Sequence, residues 1–181
     1  MKKAVLTLIA ILLCISFAAA ESNRCSFGNF HRINSDQFSV AIKIANHDTL
    51  GGFQVPFSFD NDDVEMSCDS VSFIDSRCGH FDFLNAKIDN ESKSLLVMGI
   101  YQTNPAVEAT PLLPGNGMVA RAYYTITSAN GGGNGNARRN IRFAKKKFRM
   151  TDNTMDFSFW TVDGETTSSI YENDVIDIDS E

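Results

Sequence analysis

An all-β sandwich or barrel is the fold class that this 181-residue sequence predicts. Three observations carry it. Apolar and polar residues alternate over many short runs, the period of a strand with one face packed and the other in water. Turn-forming residues separate these runs at short intervals. No stretch sustains a helical period over three turns.

The elements can be placed in order. Phe38, Val40, Ile42 and Ile44 alternate with Ser39, Ala41, Lys43 and Ala45. Phe53, Val55, Phe57 and Phe59 then alternate with Gln54, Pro56, Ser58 and Asp60. Pro56 has no amide hydrogen to give to a ladder, so it is expected at a sheet edge or a bulge. Further strands are expected over 71–74, 81–88 and 95–101, the last apolar enough to be buried on both faces. In the run 118–126, Ala120, Ala122, Tyr124 and Ile126 share one side. Segments 142–148, 155–162 and 175–178 complete the set. The joints are Asn46-His47-Asp48, Asp60 to Asp63, Asp89-Asn90, Pro114-Gly115-Asn116-Gly117 and Asp163-Gly164. Residues 130–136, all Asn and Gly, form a loop with little side-chain content to order it.

Residues 1–20 are expected to be a cleaved signal peptide. Lys2 and Lys3 precede an apolar stretch over 4–17, and Ala18-Ala19-Ala20 offers a small-residue cleavage site before Glu21. The stretch is shorter than the roughly 20 residues of a membrane span. The expectation is therefore one exported domain over 21–181, secreted or held in the periplasm or cell envelope, with no membrane span. The net charge of −6 becomes more negative once the two leader lysines are lost. Such a chain is a poor binder of nucleic acid.

Three cysteines follow the leader: Cys25, Cys68 and Cys78. Export permits a disulfide, and an odd number leaves one thiol over. Cys68 with Cys78 is the favoured pair, since both flank one short strand-and-turn segment; three buried thiols are the alternative.

With the elements laid out, the sequence resembles the cohesin-like domains, which share their sandwich with certain carbohydrate-binding modules. The residues that carry the resemblance occur in order. They are 38–45 followed by a polar turn, Gly51-Gly52-Phe53-Gln54-Val55-Pro56-Phe57-Ser58-Phe59-Asp60, Val71-Ser72-Phe73, Phe81-Asp82-Phe83, the apolar strand 94–101, and Gly115-Asn116-Gly117-Met118-Val119-Ala120-Arg121. The resemblance covers residues 37–127 well and the remainder loosely. It implies a bacterial extracellular jelly-roll sandwich of about nine strands without catalytic activity. Known members bind dockerin modules through one sheet face. Where dockerin binders tend to carry Asn and Asp, this chain has Gly52, Gln54, Pro56 and Ser58, and Asn61 replaces the usual Pro. The partner-contacting set implied is Gln54, Pro56, Ser58, Arg121 and Tyr123. The alternative partner is a polysaccharide, read by exposed aromatics at Trp160, Tyr101 and Tyr171, with Tyr123 a further candidate.

There is no G-x-S-x-G, no H-E-x-x-H, and only His31, His47 and His80 among histidines. His80 lies near Asp75 and Asp82 in sequence but has no nucleophile tied to it, so an exposed turn histidine is expected. The chain is expected not to be an enzyme. No cofactor is expected; Asp60, Asp62, Asp63 and Glu65 offer calcium a cluster of oxygens, against the plainer reading of a solvated acidic turn. Arg138, Arg139, Arg142, Lys145, Lys146, Lys147 and Arg149 are seven of the sixteen basic residues. They suit either an anionic partner or pairing with the acidic C-terminal strand.

Overall fold

Strict alternation becomes structure in β2 (Gln37–Asn46) and β3 (Leu50–Asp60), whose phenylalanines and β-branched residues all turn to one interior. The computed structural model describes residues 22–60, 64–129, 140–151 and 153–177. The expected leader, the Asn/Gly run at 130–136, Asp62, Asp63, Arg138, Arg139 and residue 178 lie outside them.

The remaining strands are β1 (Asn23–Arg32), β4 (Val64–Ser72), β5 (Phe83–Asp89), β6 (Ser94–Ile100), β7 (Gly115–Ala129) and β8 (Asn140–Lys145). Five shorter ones follow: β9 (Phe148–Arg149), β10 (Thr154–Met155), β11 (Ser158–Thr161), β12 (Ser169–Tyr171) and β13 (Asp174–Asp177). Two sheets form a jelly-roll sandwich. One has the order β12-β1-β2-β7-β4, the other β13-β8-β3-β6-β5, with β11 also paired to β3. β9 and β10 make a small separate hairpin. The fold class is the expected one, all-β throughout the described residues.

The core lies between the sheets. Phe27, Phe38, Ile42, Ile44, Ala122 and Tyr124 from the first sheet meet Phe53, Val55, Phe57, Phe59, Val97, Phe143 and Phe159 from the second. Phe27 stacks on Phe143 at 4.9 Å between centroids and meets Phe57 edge-on at 4.8 Å. Offset and edge-on aromatic pairs each contribute about 1 kcal/mol beyond the area they bury.

Three expectations are corrected. The strand placed at 71–74 is the tail of β4, which starts at Val64; residues 74 and 75 are in a turn, where Asp75 has a φ of 57°. Pro56 sits at neither an edge nor a bulge. It faces Leu96 of β6 in an unbroken ladder, while on the other flank of β3 the partner β11 ends at Gln54 and β8 begins at Phe57. A missing donor is tolerated where one partner strand hands over to the next. The Cys68–Cys78 bridge is not formed: Cys25, Cys68 and Cys78 are buried free thiols. Cys68 lies beside Tyr124 in the ladder, whereas the Cys78 thiol bonds the Val119 carbonyl at 3.2 Å, five residues along the same strand. At strand rise that is roughly 17 Å of chain, beyond the reach of a disulfide.

Candidate functional site: the outer face of the β3–β6–β5 sheet

The side chains of β3, β6 and β5 that turn away from the core form rows, because residues directly opposite in an antiparallel ladder share a face. One row is Trp160, Gly52, Ile100 and Phe83; the next is Ser158, Gln54, Met98 and Asn85. Pro56, Leu96 and Lys87 follow, then Ser58, Ser94 and Asp89. Ile100, Met98, Phe83 and Trp160 are all half-buried. Gly52 is required beneath Trp160: a Cβ there would stand 2.4 Å from the indole ring. The tryptophan therefore lies flat against the strand.

The other end of this face is covered by the protein itself. Leu96 is fully buried and Phe148 of β9 nearly so, yet neither joins the interior cluster. β9 comes up against β6 at this end of the face. Gln54 donates to the Asp156 carbonyl at 2.7 Å, and Ser58 to the Ala144 carbonyl at 3.4 Å. Asp156 also holds Lys147 at 3.1 Å and Lys145 at 3.9 Å. Hydrogen bonding from Lys147 lowers the Asp156 carboxyl below its ordinary range. So the docking set expected on β3 is largely engaged within the chain, and the open half of the face is the Trp160–Ile100–Phe83 end. Sequence reasoning missed Met98, Ile100 and Phe83; their signal was the outward register of β6 and β5, which needs the pairing to be known.

Arg121 and Tyr123 are not on this face. They point outward from β7, in the other sheet, and line a depression of about 470 Å³ with Asn29, Phe30, His31, Ile33 and Ser39. The expected aromatic platform is not assembled. Tyr101 and Tyr171 pack against the core, leaving Trp160 as the member of that trio on an outer face. The Tyr171 ring meets Phe27 and Phe157.

His80 is exposed, 2.9 Å from the Thr110 carbonyl and edge-on to Phe81, while Asp82 accepts from the Thr103 amide. Of the acidic turn, Asp60 and Glu65 are described and Asp62 and Asp63 are not. Among the described residues no group of three or more His, Cys, Asp or Glu could hold a metal. Of the basic segment, β8 with Arg142 and Lys145 runs antiparallel to the acidic strand β13, whereas the ammonium groups of Lys145 and Lys147 pair with Asp156 instead. Among the described residues no helix is long and apolar enough to cross a membrane.

No family model matches the sequence, and no curated protein matches it. Solved structures do. A chain of a type I cohesin–dockerin complex from Clostridium thermocellum aligns with a TM-score of 0.61 at 9% identity, covering 88% of this chain and 95% of that one. The sixth cohesin of scaffoldin B from Acetivibrio cellulolyticus, in complex with a dockerin, gives 0.58 at 8%, covering 88% and 100%. A non-cellulosomal cohesin from the archaeon Archaeoglobus fulgidus gives 0.55 at 13%, covering 86% and 89%. The fold is cohesin-like, as the residue resemblance implied.

Proposed function

We propose that this chain is an exported, non-catalytic module that binds another protein through the outer face of β11, β3, β6 and β5. The observation that carries the reading is the open row Trp160–Gly52–Ile100–Phe83, flanked by Gln54, Met98 and Asn85. A flat patch of half-buried apolar side chains beside neutral polar ones is the composition of a protein-docking surface. Aromatic and Met side chains there supply the contact area, and a central Trp is a common energetic anchor. Two of the cohesins with this fold were solved with a dockerin bound, which agrees with a protein partner. The lysine–apolar–alanine leader supports export.

A polysaccharide ligand is less well supported, because Tyr101 and Tyr171 turn to the core and give Trp160 no coplanar companion. The test is capture of secreted and envelope proteins of the producing organism by the purified protein, beside an Ile100→Glu variant and an insoluble-polysaccharide control. Capture of a defined partner that Ile100→Glu abolishes supports the reading. Retention on polysaccharide, or capture indifferent to Ile100→Glu, overturns it. Mass analysis of the exported protein, expected to start at Glu21, tests the leader.

A further inference from the structure

The opposite outer face carries a second, independent site. β1 is interrupted by a bulge between Gly28 and His31, with Asn29 in a left-handed conformation at a φ of 46°. Bulges re-aim side chains, and this one opens the depression bounded by Phe30, His31 and Ile33. Arg121 is among its lining residues. One guanidinium nitrogen, Nη1, donates to the Asn29 carbonyl and to Ser39 Oγ, both at 3.2 Å. Those bonds tie the bulge to β7 and fix the fork. Nε and Nη2 have no acceptor among the described residues.

We propose that this depression binds a small amphipathic monocarboxylate, a carboxylate carried on an aromatic or aliphatic body. Two free donors in one plane match the two oxygens of a carboxylate. No Asp or Glu lines the depression, although the chain as a whole carries a charge of −6. The local field is thus set by Arg121 against the net charge. Ile33 and Tyr123 supply apolar wall, while the Phe30 ring stacks on Phe38 toward the core. Such walls suit an apolar body rather than a hydroxylated sugar ring. The volume of about 470 Å³ lies in the range of small-molecule sites, which runs from about 300 to 1,000 Å³. The assignment does not depend on the docking face, since β1, β2 and β7 belong to the other sheet.

The test is titration of the ¹⁵N-labelled protein with 3-phenylpropionate, its neutral amide, glucuronate, and an acetylated peptide ending in phenylalanine. The expected result is saturable shifts at Asn29, His31 and the Arg121 side chain with 3-phenylpropionate, and binding at least ten-fold weaker for the amide and for glucuronate. Arg121→Gln is expected to weaken binding at least ten-fold, whereas Lys43→Gln, which removes a cation outside the lining, leaves it unchanged. Because Arg121 also braces the bulge, Ile33→Asp is the second variant: Ile33 is 47% exposed, so the fold tolerates the change while the new charge repels a carboxylate. Equal binding of the amide or of glucuronate overturns the proposal, as does binding indifferent to Ile33→Asp. Binding of the peptide alone overturns it in favour of a protein chain end.

Discussion

Arg77 donates through Nη1 to the Asn46 side-chain oxygen at 2.9 Å, and this pair closes one end of the sandwich. The same nitrogen reaches the carbonyls of Ile44 and Gly115, and Nη2 reaches that of Leu113 at 2.6 Å. Asn46 in turn donates to the carbonyls of Asp48, Leu112 and Leu113. Two polar side chains thereby hold the end of β2, the start of β7 and the segment before it. Gly117 leaves the room: a Cβ there would meet Arg77 Cδ at 2.8 Å.

Arg77→Met is therefore expected to cost about 2 kcal/mol, since several carbonyls lose a charged donor at once. Arg77→Lys should recover only part, because an ammonium cannot span the fork. Urea unfolding of both, and of Asn46→Ala alone and combined with Arg77→Met, checks this. A coupling energy near zero would show that the two side chains act separately.

How far the sequence revealed this fold depended on which physical signal each element carried. β2, β3 and β7 are long and alternate, so their inward faces follow from Phe38, Phe53 and Tyr124, whereas β6 is a short unbroken apolar run whose faces the pattern does not separate. β1 escaped because Gly28-Asn29 breaks its alternation at the bulge, although Cys25 and Phe27 are inward. β12 is three residues long, too short for any period. The start of β4 was hidden by the acidic turn before Val64. For the site, period two told inward from outward but not which sheet a strand joins. Nor does the period correct the set implied by the family resemblance, which groups Gln54 with Arg121 although they stand in different sheets. Tyrosines resisted assignment because their rings suit a core as well as a surface, and Tyr171 took the core.

Trp160 offers a clean report on the docking face, being the single tryptophan of the chain. Gly52→Ala would place a methyl 2.4 Å from its indole. The ring must lift away, at a cost of about 1–3 kcal/mol. A red shift of tryptophan emission with a lowered unfolding midpoint is expected. Unchanged emission would mean that the indole does not rest on Gly52.

The buried thiols make stability fall in alkali. Burial pushes the Cys68 thiol up from 9.0 to about 12, with Asp69 adding to it, and Cys25 and Cys78 are raised for the same first reason. The folded state holds these protons where the unfolded chain releases them. Their contribution is complete below about pH 9 and is lost as pH rises from there through the folded value. Unfolding midpoints followed from pH 7 to 11 should decline above 9, less steeply for Cys68→Ala. An equal slope in that variant would remove Cys68 as a cause.

Tyr124 presents the sharpest contrast between packing and polarity. Its ring is sealed among Phe38, Phe59 and Phe143, with Phe38 stacked at 5.2 Å and Phe59 edge-on at 5.2 Å. Its hydroxyl is buried and has no hydrogen-bond partner among the described residues. A buried unpaired hydroxyl opposes folding, while the ring favours it. Tyr124→Phe keeps the ring and deletes the unpaired group, so stability should be unchanged or higher by up to about 1 kcal/mol. Tyr124→Ala should lose about 3–5 kcal/mol through the cavity. The phenol is also raised well above its ordinary 10.0 by burial, so it too withdraws stability as pH climbs past 10. Tyr124→Phe should flatten that part of the alkaline decline. A loss of stability in Tyr124→Phe at neutral pH would reveal that the hydroxyl has a partner in solution, and would reverse the sign of this argument.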